Sequence, residues 1–257
     1  MTIRTILLAT GALLATTAAN AAQVAALIGN DTIAIVDTEQ KKAIKSMKVT
    51  GIGGALVGID VRPADGLLYG LVEDGTVVTI AMDGKATQKS KLDTMLAKGV
   101  MATVDFNPAA DRLRVMGADG MNLRVNVDDG KVTKDGDHKF ADGDMSKGKP
   151  NVVAGAYTNS VKGAKETALF NLDGTADALV KQAPPNDGVL GSIGKLGVKA
   201  DKAAFDIWSD GNGKNSAWMM AGDTLYSVDL STGKATEAAK ISGVSGTVRD
   251  IAILPAM

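Results

Sequence analysis

The residues best suited to chemistry recur at the start of short apolar runs. "GIDVRP" carries Asp60 and Arg62, "VDFNPAADRLRV" carries Asp105, Asn107, Asp111, Arg112 and Arg114, "AFDIW" carries Asp206, and "VRDIAILP" carries Arg249 and Asp250. Carboxylates and guanidinium groups held together grip sugars, organic acids or a cation. The expected ligand-binding set is therefore Asp60, Arg62, Asp105, Asn107, Arg112, Asp206 and Arg249. A structural reading competes with it: each aspartate accepts backbone N–H bonds from a neighbouring turn and ties one unit to the next. Repetition favours that reading, since a site rarely needs one group per unit. The spacing also predicts that Asp105 lies close to Arg112 across "FNPAAD", with Arg114 on the same face as Arg112.

Other chemistries have weaker signals. "KDGDHKFADGDMSKG" offers Asp135, Asp137, Asp142 and Asp144 with His138, a possible calcium loop, but lacks the ordered carboxylates and closing Glu of an EF-hand. "SDGNGKNSAW" lacks that Glu too. Zinc is disfavoured, because His138 is the sole histidine and there is no cysteine. A Ser–His–Asp hydrolase would have to use His138, and no G-x-S-x-G is present. Paired carboxylates would suit a glycosidase-like reaction, yet aromatics are only 4%, few for sugar stacking. Met116, Met121, Met219 and Met220 read as core filler before copper ligands. No residue is assigned a catalytic role.

The elements that must position these groups are strands. Of 29 acids only Glu39, Glu73, Glu166 and Glu237 are glutamates; ten of the aspartates precede Gly, a hairpin signal between alternating apolar runs. Only short pieces such as "KLDTMLAKG" have any helical pattern. The stretches starting at Gly58, Thr103 and Ala204 each read strand, turn, strand, turn, strand, Gly-Lys turn and Thr. Their aspartates are 105 − 60 = 45 and 206 − 105 = 101 residues apart, and Asp250 follows after 250 − 206 = 44. A degenerate unit near Gly155, "NVVAGAYTNS", fills the long gap. Such a period, with several strands per unit, is that of a β-propeller. The last unit stops after one strand, and the chain before residue 50 reads as a unit lacking its first strand. An all-β, five-bladed propeller closed by its N- and C-terminal strands follows.

"LVGIDVRPADGLLYGL", "VDFNPAADRLRVMGADGMNLRVN", "PNVVAGAYTNS" and "LFNLD…LVKQAPPNDGVL" resemble, in order, the blocks of a domain-of-unknown-function family of exported bacterial proteins. The resemblance runs from about Ala26 to Pro255 and implies a propeller-like fold; it implies no activity and no catalytic residue. The Asp-Asp-Gly at 128–130 stands where the family often has a Pro-containing turn.

"MTIRTILLATGALLATTAANAAQ" has one cation, a short apolar run and Ala19-Asn20-Ala21, the pattern of a signal peptide over residues 1–21. Cleavage leaves 257 − 21 = 236 residues as a single domain, 22–257, with net charge 27 − 29 = −2. No later run could span a membrane, and no basic block invites nucleic acid. Without cysteine, an exported fold must rest on its core. These features describe a monomeric periplasmic or extracellular module that binds a small molecule, glycan or protein without catalysis. Calcium is its one candidate cofactor. The alternative is a carboxylate-dependent hydrolase or lyase acting on a glycan or lactone.

Overall fold

The structure, a computed structural model, describes residues 23–255; the expected leader at 1–21 lies outside them. Three strands open the described chain: β1 (Gln23–Ile28), β2 (Thr32–Asp37) and β3 (Lys42–Lys48). Blade one is β4 (Leu56–Val61), β5 (Leu68–Val72), β6 (Thr76–Ile80) and β7 (Ala86–Lys91). Blade two is β8 (Ala102–Asn107), β9 (Arg112–Gly117), β10 (Asn122–Val125) and β11 (Val132–Lys134). A short β12 (Lys139–Phe140) then leads to blade three: β13 (Val152–Tyr157), β14 (Leu169–Asp173), β15 (Ala178–Gln182) and β16 (Val189–Lys195), with β12 parallel outside β16. Blade four is β17 (Ala203–Ser209), β18 (Asn215–Ala221), β19 (Thr224–Val228) and β20 (Ala235–Lys240). The chain returns through β21 (Val248–Ile253) to complete blade five in the order β21-β1-β2-β3.

These five sheets form a five-bladed β-propeller whose inner strands β4, β8, β13, β17 and β21 contact one another in a ring. Closure is by β21 against β1, with Val24 opposite Ile253 and Ala26 opposite Ile251. The C-terminal strand thus shares a sheet with β2, as expected, with β1 between them. The degenerate third unit does supply a blade.

Turn chemistry explains the abundance of aspartate. Asp74, Asp83, Asp119 and Asp129 each accept the backbone N–H two residues on. The glycines that follow them adopt left-handed φ of 85°, 88°, 95° and 76°. The expected helical pattern near Leu92 to Lys98 is not helix but an irregular connection. Leu92 and Asp93 donate their amides to Gly75 and Gly130, turns of the two flanking blades, and Leu92 and Leu96 fill the wedge between those blades. Inter-blade wedges hold the apolar core throughout. In this one Tyr69 meets Phe106 edge-on, ring centroids 5.2 Å apart.

The predicted Asp105–Arg112 pairing does not form. Asp105 faces Arg114 and Asn107 faces Arg112 in the β8–β9 register, and Arg112 donates to the carbonyls of Ala110 and Asp111. Arg114 is the buried cation: it donates to Asp135 at 2.9 Å, Asn122 at 2.7 Å, and the blade-three side chains Tyr157 at 2.7 Å and Asn186 at 2.8 Å. The turn forms where the spacing puts it, but Arg114's partners come from β10, β13 and the connections after β11 and β15.

Two outcomes follow from this architecture. Deleting residues 248–257 strips β1 of its inner partner and opens the ring, and the truncated chain should fail to fold cooperatively; a melting transition equal to that of the full chain would contradict the closure. Asp135→Ala leaves Arg114 buried without its charge partner and should cost about 3 to 5 kcal/mol by denaturant unfolding; a loss below about 1 kcal/mol would show that the neighbouring amides and hydroxyl suffice.

Candidate functional site

The inner strands present their inward edges to the propeller axis, where backbone N–H groups have no sheet partner. Aspartates supply the acceptors. Asp60 accepts Phe106 N–H at 2.7 Å, Asp105 accepts Tyr157 N–H at 2.8 Å, and Asp206 accepts Ile253 N–H at 2.6 Å. In each case the acceptor reaches the next inner strand in the ring, one residue beyond the position equivalent to itself. The equivalent positions are thus Asp60, Asp105, Ala156, Asp206 and Ala252. Where the preceding blade carries alanine, the orphan amide turns to its own strand: Ile207 donates to Asp206 and Val61 to Asp60, both at 2.6 Å. Asp250 accepts Ile59 N–H at 3.0 Å, which places it two residues lower on its strand than spacing alone suggests. The structural reading therefore holds, with one change: the donors are neighbouring inner strands, not turns.

The arrangement gathers charge. One carboxylate oxygen from each of Asp60, Asp105 and Asp206 lies within 4.8 Å of the other two. Asp250 sits in the layer beneath, and all four residues are buried. Among the described residues no lysine or arginine forms an ion pair with any of them. Burial, and then the neighbouring carboxylates, raise Asp60 and Asp105 well above the usual carboxylate range. Burial also raises Asp250 well above it and brings Asp206 up to about 6.

Above this cluster opens a cavity of about 290 Å³. Asp60 and Asp206 reach it from the strand ends, Trp208 and Ser209 line it from β17, and Ser160 and Lys162 come from the connection after β13. The Ser160 amide is tied to Ser209 at 3.0 Å, fixing that connection against blade four.

Of the seven predicted residues, the structure brings Asp60, Asp105 and Asp206 together. Arg62 is committed elsewhere: it grips Asp111 through two bonds of 2.8 and 2.6 Å and also Asp128, joining blades one and two. Asn107 caps its own turn by accepting from Ala109 and Ala110. Arg112 serves the same turn. Arg249 lies at the opposite end of the axis, bonded to Asn30 and the Leu56 carbonyl. Sequence reasoning did not single out Ser160, Lys162, Trp208 or Ser209 for the site. The available signal was positional: "TNSVK" follows β13 as "NPAAD" follows β8, so both continue inner strands at one end of the ring.

The loop once considered for calcium does not converge. Asp135 pairs with Arg114 and Arg124, Asp137 with Lys134, and Asp144 accepts from Ser146 and Ser192. His138 is buried, and burial helped by Arg114 pushes its pKa down to about 4, unsuited to a general base at neutral pH.

The axial cluster sets a pH dependence. A raised folded-state pKa means stability that is fully present below the unfolded value near 3.8 and lost as pH rises through the folded value, about 6 for Asp206. His138 works in the opposite sense, losing stability as pH falls from about 6.5 toward 4. Comparing wild type with Asp105→Asn in chelator isolates a carboxylate, because Asp105 accepts one amide that asparagine can keep, whereas both oxygens of Asp206 are engaged. The variant should be more stable than wild type at pH 7.5, and the advantage should shrink as pH falls toward 4. A variant less stable at both pH values would contradict the charge argument.

Residues 32–252 match the family described as Domain of unknown function (DUF4394). No curated protein matches the sequence. Among solved structures, a protein of unknown function from Bacteroides thetaiotaomicron VPI-5482 is similar with TM-score 0.52 and 13% identity over 77% of this chain and 53% of that one, a likeness of fold. A protein of unknown function from Bacteroides caccae gives TM-score 0.48 and 14% identity over 92% of this chain and 100% of that one. An auxiliary nutrient binding protein from Bacteroides thetaiotaomicron VPI-5482 gives TM-score 0.47 and 14% identity over 76% of this chain and 52% of that one, so this chain spans about half the length of two of the three. With the match running from β2 into β21, the chain belongs to the DUF4394 family of domains of unknown function.

Proposed function

We propose that the chain is an exported, non-catalytic binding module whose ligand is a small polar molecule seated in the cavity over Asp60 and Asp206. The cavity carries this reading. Its polar groups come from packed strands and a tied connection, so little ordering entropy is lost on binding. Trp208 offers an apolar face, Lys162 a donor and the carboxylates an acidic floor, while the Ser160 and Ser209 hydroxyls, which donate to the Tyr157 carbonyl and Asn215 Oδ1, offer acceptor lone pairs. That combination suits a ligand of sugar or amino-acid size, apolar on one side and hydrogen-bonding on the other. The signal-peptide pattern supports export, and no helix among the described residues is long and apolar enough to cross a membrane.

The hydrolase or lyase alternative draws less support. Both carboxylate oxygens of Asp60 and of Asp206 are engaged by backbone amides.

A thermal-shift screen of sugars, organic acids and amines tests the proposal. A ligand of the folded state raises the melting temperature in proportion to ln(1 + [L]/Kd). A hit in the cavity should lose its shift in Trp208→Ala and keep it in Trp218→Phe. Hits indifferent to Trp208→Ala, or a screen in which nothing shifts wild type, would count against the cavity.

A further inference from the structure

We infer that the axial shaft beneath the cavity is a cation site of calcium type, with Asp60, Asp105 and Asp206 as its carboxylate ligands. The inference builds on the cavity reading, since Asp60 and Asp206 belong to both.

The distances come first. Three oxygens no more than 4.8 Å apart lie within about 2.8 Å of a common centre, 4.8/√3. Calcium–oxygen bonds run about 2.3 to 2.6 Å, so a contraction of a few tenths of an ångström completes three bonds. Magnesium, at about 2.0 to 2.1 Å with strict octahedral geometry, fits the spacing less well.

The walls of the shaft point the same way. The hydrogen-bond register places Asp60, Asp105, Ala156, Asp206 and Ala252 in one layer and Gly58, Thr103, Ala154, Ala204 and Asp250 in the layer beneath. Apart from the aspartates and one threonine, every residue is Gly or Ala. At Gly58 even a Cβ would meet Asp250 Oδ2 at 2.7 Å. An axis meant only to be filled would carry larger apolar side chains.

Thr103 is the independent observation. It is 1% exposed, and among the described residues its Oγ1 has no hydrogen-bond partner. Strand alternation puts it on the same face of β8 as Asp105, one step down, level with Asp250. Buried hydroxyls are nearly always satisfied, and an orphan in the shaft calls for a partner there. Water in the shell of an ion held by the upper layer supplies one. Calcium takes six to eight oxygens, so three carboxylates leave room for such waters and for a ligand oxygen from the cavity above.

The test is calorimetric titration of calcium into the chelator-treated full chain, with magnesium as comparison. One calcium per chain should bind and raise the melting temperature, and magnesium at equal concentration should bind at least about tenfold more weakly. Asp105→Asn removes a ligand charge without touching the cavity lining and should weaken calcium at least about tenfold. Its melting temperature in chelator, equal to or above wild type, shows that the fold is intact. Thr103→Val, close in shape, should weaken calcium about threefold or more; it decides the matter if Asp105→Asn does not fold. No heat and no thermal shift at millimolar calcium would overturn the inference, as would affinity unchanged in both variants. Trp208→Ala separates the two readings. Calcium binding that survives it while the organic ligand is lost supports both. An organic ligand that binds wild type in the absence of any calcium response sinks the cation site alone, and calcium binding without any organic ligand sinks the cavity reading alone.

Discussion

A propeller brings one edge of every blade to a common axis, and the amides on those edges must find acceptors where water is scarce. This chain answers with carboxylates that reach from one inner strand to the next. Ile59, Phe106, Tyr157 and Ile253 donate across blade boundaries, to Asp250, Asp60, Asp105 and Asp206. Where Ala156 and Ala252 interrupt the series, Ile207 and Val61 turn to the aspartates of their own strands. The same bonds fix the relative height of the blades, and with it which side chains meet on the axis.

That solution concentrates negative charge in a place that disfavours it. Asp60, Asp206 and Asp250 each accept two amides, one on each oxygen, which asparagine cannot do; at Asp105, which accepts a single amide, asparagine would serve as well. Desolvation and mutual repulsion both oppose ionisation of the group, and a cluster without a countercharge must take up protons or a cation. Elsewhere the buried arginines are paired, Arg114 with Asp135 and Arg62 with Asp111 and Asp128, and buried Asp173 stands singly on three backbone amides. The axis instead gathers several carboxylates, and it lies directly under a cavity. Uncompensated buried charge at the floor of an opening is the pattern of a site more than of a scaffold.

Much of this was legible in the sequence. The strand-start aspartates recur at propeller spacing, the Asp-Gly turns declare the hairpins, and the split first and last units announce closure; all three are local patterns repeated. Asp60, Asp105 and Asp206 were legible as a group for the same reason. Partners set by three-dimensional register were not. Arg62 and Arg249 stand beside axial aspartates in sequence, yet Arg62 extends outward to the next blade and Arg249 sits at the other end of the axis, because two residues along a strand is a large step in space. Asp250 aligned by spacing with Asp206 but sits one layer lower, since the closing blade joins strands from both ends of the chain. Ser160, Lys162 and Trp208 meet only once blades three and four are side by side.

The most direct measurement is a carboxyl-carbon NMR titration of the four axial aspartates in the chelated protein and again with calcium. The account predicts that, without calcium, at least one of Asp60, Asp105, Asp206 and Asp250 titrates near or above pH 6, and that calcium returns Asp60, Asp105 and Asp206 to low values. Four carboxyl groups that all titrate below about pH 4 without calcium would contradict it.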